Sequence, residues 1–157
     1  MSGPSYIISK ETERHMAESY RKNFERTTGW LWFDIRNSNS EIDELLQRLK
    51  RRHERKKTPP TEKEQILFNE IEKTREYRYE KTDINASASY GSIMSEMYSR
   101  RSVCWDLETR LELILDINPK HIWTKWGGDT GKKYREEHIN KTNLKRSERR
   151  KTSNKGI

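Results

Sequence analysis

A chain of 157 residues, 37% of them charged and only 30% hydrophobic, has room for one domain with appendages and excludes a large core. No apolar run approaches the roughly 20 residues that a membrane-spanning helix needs, and a single cysteine, Cys104, excludes an internal disulfide. The formal net charge of +8 points to a polyanionic partner.

Five tryptophans and seven tyrosines argue against full disorder and for a small aromatic core. With no signal-like segment, the chain is expected to be soluble and intracellular, nuclear in a eukaryote or a nuclear-replicating virus and cytoplasmic otherwise. The charge is segregated. Residues 131–157 hold ten Lys and Arg against three Glu, whereas residues 1–130 as a whole are nearly balanced and concentrate their positive charge at 48–57, seven against one.

In chain order, Ser9 is a fitting N-cap for a helix to Glu25 or Arg26, with Met16, Tyr20 and Phe24 as its apolar stripe and Thr28-Gly29 as its end. His15 beside that stripe is expected at the surface. Residues 30–36, WLWFDIR, alternate well enough to predict a short extended aromatic segment, either a strand or a strip laid across helices. Its tryptophans are expected to anchor the core rather than to stack on bases. Asn37-Ser38-Asn39 predicts a turn. Ser40 with Asp43 then imitates a capping box before Ile42, Leu45, Leu46 and Leu49.

From Arg48 the sequence RLKRRHERKK has no apolar face, and Thr58-Pro59-Pro60 ends it. Thr61 with Glu64 forms a capping box for a helix that buries Leu67, Ile71 and Thr74. The predicted unit is an αα-hairpin whose first helix carries a basic end. Tyr77-Arg78-Tyr79 fits a helix end with packed rings and exposed hydroxyls, and residues 82–89 a polar loop.

Residues 89–126 hold most of the remaining core material. Tyr90, Ile93, Met94 and Met97, then Leu107, Leu111, Ile114 and Leu115, recur at helical spacing and predict two helices, the second stopped before Pro119. Ile122, Trp123 and Trp126 are expected to fold back over them. Gly127 to Gly131 reads as a hinge. Beyond it the chain is expected to be extended or only transiently helical when alone.

Catalytic and metal chemistry has little support. GGDTGKK at 127–133 imitates a phosphate loop, yet Trp126 occupies the motif's first glycine position and Lys133 replaces its hydroxyl residue. His15, His53, His121 and His138 are widely spaced, and nothing has zinc-ligand spacing. Cys104 fits a packed thiol better than a nucleophile paired with His121. Asp106, Glu108 and Glu112 could furnish a metal-dependent nuclease. They fit better as a solvent face opposite Leu107, Leu111 and Ile114.

The run Ile114-Leu115-Asp116-Ile117-Asn118-Pro119-Lys120-His121-Ile122-Trp123 resembles the segment that follows the helix-turn-helix in Ner-like phage regulators. The resemblance covers about ten residues and implies that Ile122 and Trp123 seal a helical core. It carries across no DNA-contacting residue.

The expected architecture is mainly α: a compact helical domain at 1–126, a glycine-rich hinge at 127–131 and a basic flexible tail at 132–157. The expected function is non-enzymatic binding of DNA or RNA phosphates, with no cofactor and no metal. One surface would comprise Arg48, Lys50, Arg51, Arg52, Arg55, Lys56 and Lys57. The other would comprise Lys132, Lys133, Arg135, Lys145, Arg146, Arg149, Arg150 and Lys151. The alternative is a structural or adaptor subunit of a larger protein or ribonucleoprotein assembly.

Overall fold

The computed structural model describes residues 9–81, 89–122 and 128–155, the side chains of 128–130 and 150–155 excepted. The fold is mainly α. The described residues form α1 (Lys10–Lys56), α2 (Glu62–Lys73), α3 (Arg75–Tyr79), α4 (Tyr90–Ile114) and α5 (Gly128–Lys155), with no strand among them.

The 47 residues of α1 make a rod about 70 Å long. It runs without a break through the expected helix end at Thr28-Gly29, the extended aromatic segment and the turn at Asn37-Ser38-Asn39. The cause is a second periodicity. Thr28, Leu31, Ile35, Ser38, Ile42, Leu45 and Leu49 recur at alternating steps of three and four and are all buried, so one seam continues through the polar residues. Those residues satisfy their side chains inside the helix or across it. Thr28 Oγ1 donates to the Phe24 carbonyl at 2.7 Å, Ser38 Oγ to Glu108 at 2.7 Å, and Asn39 Nδ2 to the Arg78 carbonyl at 3.0 Å. Tertiary pairing here outweighs local turn preference.

The aromatic segment is accordingly helical, and its rings divide between faces. Leu31 and Ile35 are core, Trp32 is half-buried, and Trp30 and Phe33 are 63% and 62% exposed, so Trp30 does not serve as the anticipated core anchor. Gly29 lies on the exposed side of α1, where an added Cβ would meet nothing within 4 Å. Gly29→Ala is expected to raise stability by about 1 kcal/mol, readable as a higher thermal midpoint.

Two helix ends follow the expected local chemistry. The Thr61 hydroxyl accepts from Glu64 N–H at 3.2 Å at the start of α2, as the capping box predicts. At the end of α1 the chain turns through Lys57 (φ 51°), with Lys57 N–H on the Glu54 carbonyl and Thr58 N–H on that of His53. This is a Schellman stop, and the prolines follow it.

The two helices expected within 89–126 are one. α4 is capped by Ser89 and closed by a second Schellman motif, with Asp116 at φ 61°, Asp116 N–H on the Leu113 carbonyl and Ile117 N–H on that of Glu112. Ile93, Met97, Arg100, Cys104, Leu107 and Leu111 form its own three-and-four seam. That seam lies parallel to α1: Phe24 meets Tyr90, Asp34 meets Arg101, Asn39 meets Cys104, and Arg52 meets Ile114. The α2–α3 hairpin arm returns antiparallel to α1 and places Leu67 and Ile71 in the same core.

A second, smaller cluster of Leu113, Ile122 and Tyr134, flanked by Trp105, joins α4 to the segment after it and to α5. Ile122 therefore seals a core as expected; Trp123 and Trp126 lie outside the described residues. The basic C-terminal segment, expected to be extended or transiently helical, is helical from 128 to 155, and residues 128–131 of the expected hinge belong to its first turn. It is held by Tyr134, whose buried hydroxyl donates to Asp106.

Because α4 is covered by α1 on one side and by residues 117–122 and α5 on another, Glu108 and Glu112 are not a solvent face. Each is only 1% exposed.

Candidate nucleic-acid interface

The basic end of α1 is stiffened by the hairpin beyond it. His53 sits between Thr58 Oγ1 at 3.1 Å and the Glu64 carboxylate, so the turn into α2 is fastened on both sides. Arg48, Lys50, Arg51, Arg55, Lys56 and Lys57 are exposed around this end. Arg52 is half-buried and donates to the Ile114 carbonyl at 3.4 Å.

The last turn of α4 also receives α5. Lys141 donates to the Leu113 carbonyl and pairs with Asp116 at 2.5 Å, while Lys145 reaches the same carboxylate at 3.2 Å. Hydrogen bonding to Lys141 holds the Asp116 carboxyl below its usual range. Cations from both helices thus meet the carbonyl end of one helix, where the dipole favours positive charge. The C-terminal parts of α1 and α5 thus both extend from the same end of α4.

The second expected set does not form one surface. Lys132 and Lys133 are exposed and Arg135 is half-buried against the Ile122 carbonyl at 3.3 Å; they lie about 15–20 Å along α5 from Lys145. Arg146 and Arg149 are exposed near Lys145. Arg150 and Lys151 continue the helix, with side chains outside those described. Lys141, absent from the expected set, is the residue that docks α5. Its signal is the one-turn spacing to Lys145, which lets both reach Asp116.

Between α2, α4 and α5 lies a groove of about 430 Å³ lined by Lys63, Arg110, Lys133, Lys141, Glu70 and Glu137, among others. Most of its charge is internally matched: Arg110 bonds Glu70, Lys63 pairs with Glu137 at 3.3 Å, and Lys141 with Asp116.

A buried polar seam runs under α4. Glu108 Oε2 accepts from Ser38 at 2.7 Å and lies 2.7 Å from His121 Nε2, while Lys120 Nζ is 3.1 Å from Glu41 and 3.9 Å from Glu108. His121 stacks on Trp105 at 4.4 Å, and the Arg101 guanidinium covers the Trp105 ring at 4.5 Å. Glu112 accepts the Lys120 N–H at 3.4 Å through Oε2, and its Oε1 has no hydrogen-bond partner. Burial, and then the neighbouring Glu108, push the Glu112 carboxyl up to about 7.

This seam knits α1, α4 and the segment after α4 together. Among the described residues no group of three His, Cys, Asp or Glu is placed to hold a metal. Cys104 is fully buried, 3.6 Å from Asn39, and its thiol is pushed up to about 12 by burial. It is thus a packed thiol, and His121 is engaged by Glu108. No helix among the described residues is long and apolar enough to cross a membrane.

No protein-family model matches the chain, and no curated protein or solved structure matches it.

Proposed function

We propose that the chain binds nucleic acid through phosphate contacts at the end of the bundle where α1 and α5 terminate. The observation that carries this reading is the shared anchorage of Arg52, Lys141 and Lys145 on the last turn of α4. It supports a single cationic end from two segments far apart in sequence. Phosphates there would release condensed counterions, which makes affinity fall steeply with salt. No enzymatic step is assigned.

Charge reversal tests the reading. Arg51→Glu with Arg55→Glu, or Arg146→Glu with Arg149→Glu, is expected to lower affinity roughly tenfold at moderate salt and to flatten the log–log salt slope by about 0.9 per lost duplex contact. Lys132→Glu with Lys133→Glu should do less. Unchanged affinity and slope for the first two pairs, in fluorescence-anisotropy titrations, would mark both ends as solvated faces.

A second reading, an adaptor in a larger assembly, is favoured by the stretch of α1 that precedes its contact with α4. There Met16 and Tyr20 are exposed, and Trp30 and Phe33 add two exposed rings further on. Co-purification of one protein after nuclease treatment, lost in Tyr20→Ser with Trp30→Ser, is the result expected of that role.

A further inference from the structure

We infer that two copies of the chain associate antiparallel through residues 13–30 of α1, an inference independent of the phosphate-binding reading above. Every residue from Lys10 to Asn23 is exposed, because α4 begins at Tyr90 beside Phe24 and no described element covers α1 before that level. The uncovered stretch extends about 21 Å, and a helix of that length draws no stability from packing until a partner covers it. Exposed apolar side chains gather at the same end. Of the ten large hydrophobic side chains exposed among the described residues, six lie in the first halves of α1 and α4: Met16, Tyr20, Trp30, Phe33, Tyr90 and Tyr98. Such a concentration marks an interaction surface.

The pattern on α1 says what covers it. Glu13, Met16, Tyr20, Asn23, Thr27 and Trp30 recur at alternating steps of three and four, a second stripe beside the one that meets α4. At one end of this stripe stands the exposed Glu13. At the other, the Arg26 guanidinium lies 5.2 Å from the centre of the Trp30 ring and donates to Asn23 Oδ1 at 3.0 Å, which fixes a cation along the stripe. Arg21 takes the nearby Glu25, and neither Glu13 nor Arg26 has an ion-pair partner among the described residues. About 20 Å apart on one helix, the two cannot meet each other.

An antiparallel second copy brings them together. With the two-fold axis between Arg21 and Lys22, Tyr20 stands level with the partner's Asn23 and Met16 with the partner's Thr27. Glu13 then stands level with the partner's Trp30, against the guanidinium that covers that ring. The stripe is thus its own complement, and by symmetry the charge contact is made twice. A parallel pair is disfavoured, because it would lay the two 48–57 segments, each with seven cations against one anion, alongside each other. The antiparallel pair holds those ends about 100 Å apart, far beyond the range of unscreened repulsion. A contact about 27 Å long buries on the order of 1,000 Å² in total, the lower limit for a specific interface, so a micromolar dimer is expected.

The test is sedimentation equilibrium of the full-length chain, freed of nucleic acid by nuclease, from about 1 to 100 μM. A monomer–dimer equilibrium is expected. Glu13→Arg and Arg26→Glu, each alone, are expected to weaken it about tenfold, since each turns two opposite-charge contacts into like-charge ones. Combined in one chain, they are expected to restore it to within about threefold. Both side chains are exposed, so circular dichroism is expected to show unchanged helicity in all three variants. A chain that stays monomeric at the highest concentration would overturn the inference and leave the stripe to a different protein. A dimer that neither single reversal weakens, or that the double variant fails to rescue, would overturn the antiparallel pairing. Phosphate binding, read by titration with duplex DNA, stands or falls separately.

Discussion

Replacing Arg78 by alanine is expected to cost the fold about 3–5 kcal/mol, a large share of the roughly 5–15 kcal/mol that holds a typical domain together. Arg78 is 0% exposed. Its Nη1 donates to Asn39 Oδ1, Nη2 to the Ile71 carbonyl at 2.8 Å, and Nε to Thr74 Oγ1 at 3.2 Å. Burial lowers its pKa, yet a guanidinium stays charged at any working pH. Alanine would leave a void and strand the Ile71 carbonyl and the Asn39 amide, both out of reach of water. Lysine is expected to recover only part of the loss, because one ammonium cannot reproduce three bonds from a rigid planar fork. The check is a urea titration. A midpoint that hardly moves in Arg78→Ala would mean that α3 contributes little to the cooperative unit.

Glu112→Gln is expected to stabilise the protein at pH 8 and to leave it little changed at pH 4. The folded-state pKa of Glu112 is raised from 4.5 to about 7, first by burial and second by Glu108. A raised carboxyl pKa means that the folded state holds the proton more tightly than the unfolded chain. Its penalty is therefore absent below pH 4.5, grows as pH rises toward 7 and is complete above it. The shift corresponds to about 3 kcal/mol at full ionisation. Glutamine removes that penalty and can still accept the Lys120 N–H, although the amide must find a partner where Oε1 has none; a net gain of about 1–3 kcal/mol follows. Thermal midpoints of both proteins across pH 4–8 should converge at the acid end. Parallel curves would assign the pH response to groups other than Glu112.

What could be foreseen from the residues alone was whatever short-range chemistry decides. Ser9 and Thr61 cap helices because a side-chain oxygen meets an amide three residues on, and such signals are complete within a few positions. The stop before Pro119 was equally local. Thr28-Gly29 and Asn37-Ser38-Asn39 misled for the same reason: each is a credible turn by itself. Only the complementary seam of α4, more than 60 residues away, makes a continuous helix the better solution. Glu108 and Glu112 were misplaced because a helical wheel presumes one covered face, whereas α4 is covered on two. The two basic clusters were visible as composition. The docking of α5 on the last turn of α4 was not, since it depends on Lys141 and Asp116 meeting across a segment with no regular spacing.

The parallel course of α1 and α4 also bears on how the chain reaches this state during synthesis. Ser38 meets Glu108 across 70 positions and Asn39 meets Cys104 across 65. α1 can close on α2 soon after both emerge from the ribosome, because their contacts are local. The other side of its seam, including Ile35 and Ile42, stays open until more than 60 further residues have been made. Loop closure over that span is entropically costly and slows folding relative to an up-and-down bundle of the same size. A nascent chain stalled between α2 and α4 would therefore present a long half-covered apolar rod, the species of this protein most dependent on a chaperone.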